Sequence, residues 1–147
     1  MAATTRDGLR AGGRIEVQRT RDRVLLREFL GRDESFAAYA LADTDDAEFD
    51  RTRWGVALES DEPVALVMEY RGVSPQPLFM MGQPTGVSAI LRDAIRPRVA
   101  FAQMRQTTVP AVRRHYRVEA PAPMVRMVVE RDRFVPVVGE AVRLDQG

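Results

Sequence analysis

The stretch LFMMGQPTGVSAILRDAIRPRVAFA, residues 78–102, decides the fold. Leu78 to Met81 is an apolar run of strand length. Gly82-Gln83-Pro84-Thr85-Gly86 has turn composition. Val87, Ile90, Leu91, Ala94 and Ile95 then fall on one face of a helix, with Arg92, Asp93 and Arg96 on the other. Pro97 is expected to stop that helix, because it lacks an N–H and its ring clashes with the preceding turn. Val99 to Ala102 reads as a second strand. Such a strand–helix–strand crossover implies locally parallel pairing.

Upstream lies a hairpin. Trp54, Val56 and Leu58 alternate with Gly55, Ala57 and Glu59, and Val64, Leu66, Met68 and Tyr70 alternate with Ala65, Val67 and Glu69. Ser60-Asp61-Glu62-Pro63 supplies the turn, so these strands are antiparallel. The small apolar residues on the second face indicate a sheet covered on both sides. Before the hairpin, Arg14 to Gln18 reads as a short strand with Ile15 and Val17 on one face. A helix over 21–30 carries Leu25, Leu26, Phe29 and Leu30 as its apolar stripe, with Gly31 placed as a C-cap. A second helix starts at Asp33 as N-cap and fades into the acidic stretch Asp43-Thr44-Asp45-Asp46, which reads as a solvated loop.

Downstream, Val109 to Tyr116 is expected as a short helix with Pro110 in its first turn. Val125, Met127 and Val129 alternate with Arg126, Val128 and Glu130, the pattern of a strong strand. Phe134 to Val138 is a possible edge piece, restricted by Pro136. The expected fold is α/β (α+β): a mixed, mostly antiparallel twisted sheet with one parallel crossover and helices on both faces. Residues 1–13 read as a flexible tail, 14–138 as the domain and 139–147 as a linker.

At 147 residues the chain has room for one well-buried core. It contains no cysteine, which excludes disulfides, thiolate metal sites and cysteine nucleophiles. Every basic residue is arginine, so Schiff-base and P-loop lysine chemistry are excluded as well. The net charge of +1 gives no electrostatic reason to expect nucleic acid or a membrane surface as partner. No apolar run approaches the ~18 residues of a membrane helix, and the first residues lack a signal-peptide core.

The element order resembles the GNAT (GCN5-related N-acetyltransferase) family, in which two helices follow a first strand and a glycine turn opens the helix after the central strand. There the turn binds the pyrophosphate of acetyl-CoA through backbone N–H groups, as a helix N-terminus can. The family pattern is Gln or Arg, two residues, Gly, one residue, Gly or Ala. It falls here on Gln83-Pro84-Thr85-Gly86-Val87-Ser88. The resemblance implies Gln83, Gly86, Val87 and Ser88 as coenzyme-binding positions, and Tyr116 as the loose counterpart of the family's general-acid tyrosine. Pro84 and Ser88 depart from the pattern. The same turn also reads as an ordinary strand-to-helix turn capped by Thr85.

A closer resemblance lies in LLREFLGRDESFAAYALAD (residues 25–43) and in Trp54-Gly55-Val56-Ala57 with its hairpin. These look like the non-catalytic N-terminal domain of two-domain bacterial GNAT proteins, and Val142-Arg143-Leu144-Asp145 resembles the linker toward the second domain. The resemblance implies a cytoplasmic scaffold or interaction module with no catalytic residues or cofactor of its own. Acetyl-CoA would belong to the parent family, and the partner would be a C-terminal GNAT catalytic domain or a second copy. A chain so placed is expected to expose an apolar patch near its C-terminal strands. The alternative is a stand-alone acetyl-CoA-dependent N-acetyltransferase with a degenerate pyrophosphate turn.

Other residues invite sharper readings. His115 lies between arginines and is expected as a solvated surface histidine rather than a base. One histidine and no cysteine argue against a metal site. Asp43, Asp45, Asp46, Glu48 and Asp50 lack the spacing of a calcium loop and read as a solvated cluster. Arg92, Arg96, Arg98, Arg113, Arg114 and Arg117 form either a phosphate patch or arginines paired with carboxylates. Glu69 and Glu130 fall on expected central strands, where burial would tune a base, although such residues more often mark a strand end or an open groove. Trp54, Phe79 and the methionines read as core.

Overall fold

The computed structural model describes residues 13–119, 121–136 and 139. Its sheet runs in chain order: β1 (Ile15–Thr20), β2 (Thr52–Glu59), β3 (Glu62–Tyr70), β4 (Gln76–Gly82) and β5 (Ala100–Gln103). The first three junctions are antiparallel and β4–β5 is parallel, joined through α4 (Pro84–Asp93). The expected α/β class, mixed sheet, parallel crossover and helices on both faces are all present.

The alternation of β2 and β3 sorts their side chains onto two faces. Trp54, Val56, Leu66, Met68, Phe79 and Met81 form one core with α1 (Arg23–Leu30), α2 (Glu34–Ala42) and α3 (Asp46–Phe49). Ala57, Ala65, Val67, Leu78 and Met80 form the other with Val87, Ile90 and Leu91 of α4, with Ile95, and with Val112 of α5 (Val109–Val112). Ile15 and Val17 of β1 join this second face. The hairpin closes on Ser60 and Asp61, both at positive φ (52° and 66°), which matches the twist of a two-residue connection. Ala57 then pairs with Ala65 but Leu58 with Pro63, so Val64 is an inserted residue. That bulge carries Val64 to the α4 face, away from Leu66 and Met68.

Local capping follows the sequence in two places. Asp22 caps α1 through Val24 and Leu25 N–H, and Asp33 caps α2 through Phe36 N–H. Five expectations need correction. Gly31 is right-handed and continues into a 3-10 turn (Gly31–Asp33), so it is not a left-handed C-cap. The α4 helix ends at Asp93, before Pro97: Ala94 leaves the helical backbone region at φ −127°, and Arg19 Nε and Nη2 donate to its carbonyl at 3.1 and 2.7 Å. The helix expected over Val109–Tyr116 stops at Val112 and gives way to turns.

The strand expected over Val125–Val129 does not form: residues 121–130 are exposed and outside regular structure. Arg126 donates to the Ser35 and Phe36 carbonyls at 2.6 and 2.9 Å, which holds the segment over α2 instead of beside β5. Phe134–Pro136 is likewise not strand, while Val137, Val138, the tail (1–12) and most of the linker (139–147) lie outside the described residues. Among the described residues no helix is long and apolar enough to cross a membrane.

Candidate functional site

The turn between β4 and α4 is built by packing. Gly82 has φ +100°, and a Cβ there would lie 2.3 Å from the Val64 carbonyl oxygen, so only glycine fits. Gly86 faces the sheet, where a Cβ would meet Ala65 Cβ at 2.6 Å and Ala57 Cβ at 3.2 Å. Val87 is fully buried in the α4 core. Gln83 is the N-cap and is exposed, but its side chain makes no capping bond. Thr85, expected as the cap, lies inside the first helical turn.

The donors of this turn can be counted. Gln83 N–H donates to the Val64 carbonyl at 2.8 Å, Pro84 has no N–H, and Val87 N–H donates to the Gln83 carbonyl at 3.0 Å. Thr85 and Gly86 supply the remaining first-turn amides. Ser88 is turned elsewhere: its Oγ lies 2.8 Å from His115 Nε2. The four positions singled out for coenzyme therefore divide into one exposed side chain, two residues committed to the core, and one tied to α5's outflow.

His115 is partly buried against α4, not a solvated histidine. Burial, then Arg96, Arg92 and Arg114, hold its pKa below the ordinary value of 6.5, with Asp93 opposing. A neutral ring can accept the Ser88 hydroxyl proton, so the pair has the elements of a nucleophile and a base. The carboxylate nearest in effect, Asp93, is instead held by Arg92 through bonds of 2.6 and 2.7 Å. The neighbouring Tyr116 donates its hydroxyl to the Pro97 carbonyl at 2.7 Å, and burial pushes its pKa up. That hydroxyl is engaged rather than free to act as a general acid.

A second feature lies at the other end of α4. Arg19, Arg53, Glu69, Arg92, Asp93 and Arg96 line an open cleft of about 300 Å³. Arg53 and Glu69 are cross-strand partners, with Arg53 Nη1 3.5 Å from Glu69 Oε2. Glu69 is only 5% exposed, and its Oε2 accepts no hydrogen bond. Of the two carboxylates considered as bases, Glu69 is thus buried on a central strand, whereas Glu130 is exposed outside the sheet. Sequence reasoning found Arg92 and Arg96 but not Arg19 and Arg53. Counting back from the Ser60–Asp61 turn sets Arg53 opposite Met68, and only the bulge at Val64 brings it opposite Glu69.

The acidic stretch is structured by arginines of α1 and of the residues just before it. Arg21 pairs with Asp50, Arg23 with Asp46, and Arg27 with Asp45 at 3.0 Å. Thr44 is buried and accepts from Arg27 Nε at 2.8 Å. Glu48 accepts from the Tyr70 hydroxyl at 2.6 Å. Separate arginines thus hold these carboxylates apart, and among the described residues no three His, Cys, Asp or Glu side chains converge to hold a metal.

No protein-family model matches this sequence, and no curated protein does. Among solved structures, an aminoglycoside acetyltransferase from an uncultured soil metagenomic sample, crystallised with trehalose, is similar over 79% of this chain and 97% of its own. The identity is 11% and the TM-score 0.40.

Proposed function

We propose that this chain is a non-catalytic GNAT-like domain, a scaffold or interaction module for an acetyl-CoA-dependent catalytic domain. One observation carries the reading: the turn at Gly82–Ser88 is committed to the fold. Its glycines answer steric demands of the sheet, and Val87 is core. Pro84 and the Val64 carbonyl remove two donors from the place where a pyrophosphate would need them. Two first-turn amides and a single exposed glutamine are a poor cradle for a doubly charged diphosphate. An interaction role is supported by the exposed apolar residues Met124, Val125, Met127, Val128 and Val129.

Acetyl-CoA titration followed by thermal melting tests the reading. A ligand that binds only the native state raises stability by RT ln(1 + [L]/Kd), so a binder at ~100 Kd gains about 2.7 kcal/mol. The expected outcome is an unchanged Tm at millimolar acetyl-CoA. A saturable rise that Gln83→Ala reduces, with the unliganded Tm unaltered, would turn the reading toward a stand-alone acetyltransferase.

A further inference from the structure

The two edges of the sheet differ. The β1 edge presents Glu16, Gln18 and Arg19 to solvent, the charged guarding that keeps an edge from pairing. The β5 edge presents Phe101, 68% exposed, next to Val99, 60% exposed. Since β5 pairs only with β4, one row of its peptide N–H and C=O groups faces outward. The same chain carries a strand-patterned segment without a sheet. Met124 and Met127 are 92% and 91% exposed, and Val128–Glu130 stand off α2 across an open cleft of about 450 Å³.

We propose that a second copy of this chain supplies the missing neighbour: residues 124–130 of each copy add antiparallel to the β5 edge of the other. This rests on the interaction-module reading and names its partner. The patterns fix a register. Setting Phe101 opposite Met127 also sets Val99 opposite Val129, Ala100 opposite Val128, and Arg98 opposite Glu130. Apolar pairs then lie together and opposite charges face each other at the end of the ladder. The register respects the faces of the sheet. Phe101 is in line with Pro77, and Gln103 with Phe79 of the α1–α2 core, so Met127 and Val129 extend that apolar side. Ala100 belongs to the α4 side, which Val128 extends. Arg126 already holds the segment on the α1–α2 side of its own chain, against the first turn of α2, and it is not paired with its own β5. Exchange between two copies is reciprocal, so a twofold pair satisfies both edges and closes.

The absence of native cysteine makes the register directly testable. Phe101→Cys and Met127→Cys are made separately, mixed and oxidised; both positions are exposed, so the fold should tolerate them. The expected product is a disulfide-linked pair containing one chain of each variant, in large excess over either homodimer. Sedimentation velocity of the unmodified chain should show a dimer that dissociates on dilution. Met127→Asp should weaken it by ~100-fold with Tm of the diluted monomer unchanged. Glu130→Arg should weaken it by about tenfold, with recovery in Arg98→Glu/Glu130→Arg. A monomer at all concentrations would overturn the proposal. So would an intramolecular disulfide in Phe101→Cys/Met127→Cys, which would show the segment pairing with its own edge. Neither result bears on acetyl-CoA binding, and coenzyme binding would leave the exchange standing.

Discussion

The two faces of the sheet solve the same problem with opposite materials. On the α1–α2 side, Trp54, Leu66, Met68 and Phe79 rise from the strands, and three helices are held away by that bulk. On the α4 side the strands offer Gly55, Ala57 and Ala65, and one helix comes down close enough that Gly86 touches the sheet through its α-carbon. One face is filled by strand side chains throughout; on the other Val67, Leu78 and Met80 fill the β3–β4 part, and the helix's own Val87, Ile90 and Leu91 complete the core beside the small residues. Volume missing from the strands at Gly55, Ala57 and Ala65 is supplied by the close approach of the helix. The difference has a functional consequence. A helix drawn down onto small residues brings its first turn with it, and the turn's glycines are then needed for contact with strands.

The bulky face should suffer most from truncation. Trp54 is fully buried, stacks near Phe49 with ring centroids 6.4 Å apart, and donates Nε1–H to Thr52 Oγ1 at 2.6 Å. Trp54→Ala removes the largest side chain of that core and should cost ~3–5 kcal/mol. Urea unfolding would read it as a lower midpoint at similar slope. A loss under ~1 kcal/mol would mean that the α1–α2 layer collapses freely onto the sheet, and the contrast between the faces would be lost.

The small-residue face should suffer from addition. In an open helix interior, Gly→Ala stabilises by ~1 kcal/mol through backbone entropy. At Gly86 the new methyl would sit 2.6 Å from Ala65 Cβ, a group with no rotamer to move. Gly86→Ala should therefore destabilise, by about 1–3 kcal/mol. Gly31→Ala is the internal control: a Cβ there meets nothing within 4 Å and the backbone is already right-handed at φ −63°. It should raise stability by ~0.4–1 kcal/mol. Equal signs for the two substitutions would break the claim that Gly86 is a packing residue.

Both faces were legible in the sequence because their periods are clean. The 2-residue alternation of Trp54–Leu58 and Leu66–Tyr70, and the helical spacing of Val87–Leu91, each point to one answer. The small size of Gly55 and Ala57 already signalled a covered second face. What escaped were features set by a partner element. Val64 changes face through a bulge that alternation alone does not reveal. Val125–Val129 has a strand's pattern, but a strand exists only where an edge receives it, and Arg126 commits the segment to α2. At the candidate site, the Gly86 match was visible and its reason was not, since a glycine for phosphate approach and one for helix–sheet contact look alike in sequence. The approach of Ser88 to His115 spans 27 residues and depends on how α5 docks on α4.

That last contact gives the smallest effect and sharpens the comparison at the rim of the α4 face, where a polar tie replaces apolar filling. His115 has its native pKa held below 6.5 by burial and by Arg96, Arg92 and Arg114. The unfolded chain, with an ordinary histidine, then binds the proton more readily than the native one. This contribution to stability is complete above the unfolded value and is lost as pH falls toward the native one. Asp46 and Asp93, held below 3.8 by Arg23 and Arg92, titrate in a lower range, whereas burial and then Glu48 raise Asp43. Melting between about pH 7.5 and about pH 5.5 should thus show a modest decline in Tm, small because the ring is only partly buried. In His115→Gln the decline should flatten, while Ser88→Ala should lower Tm at both pH values by removing the tie. A slope unchanged in His115→Gln would mean that the ring is not held neutral against α4. The rim of this face would then owe its order to the packing of Ile95 and Val112 and to the Tyr116–Pro97 bond.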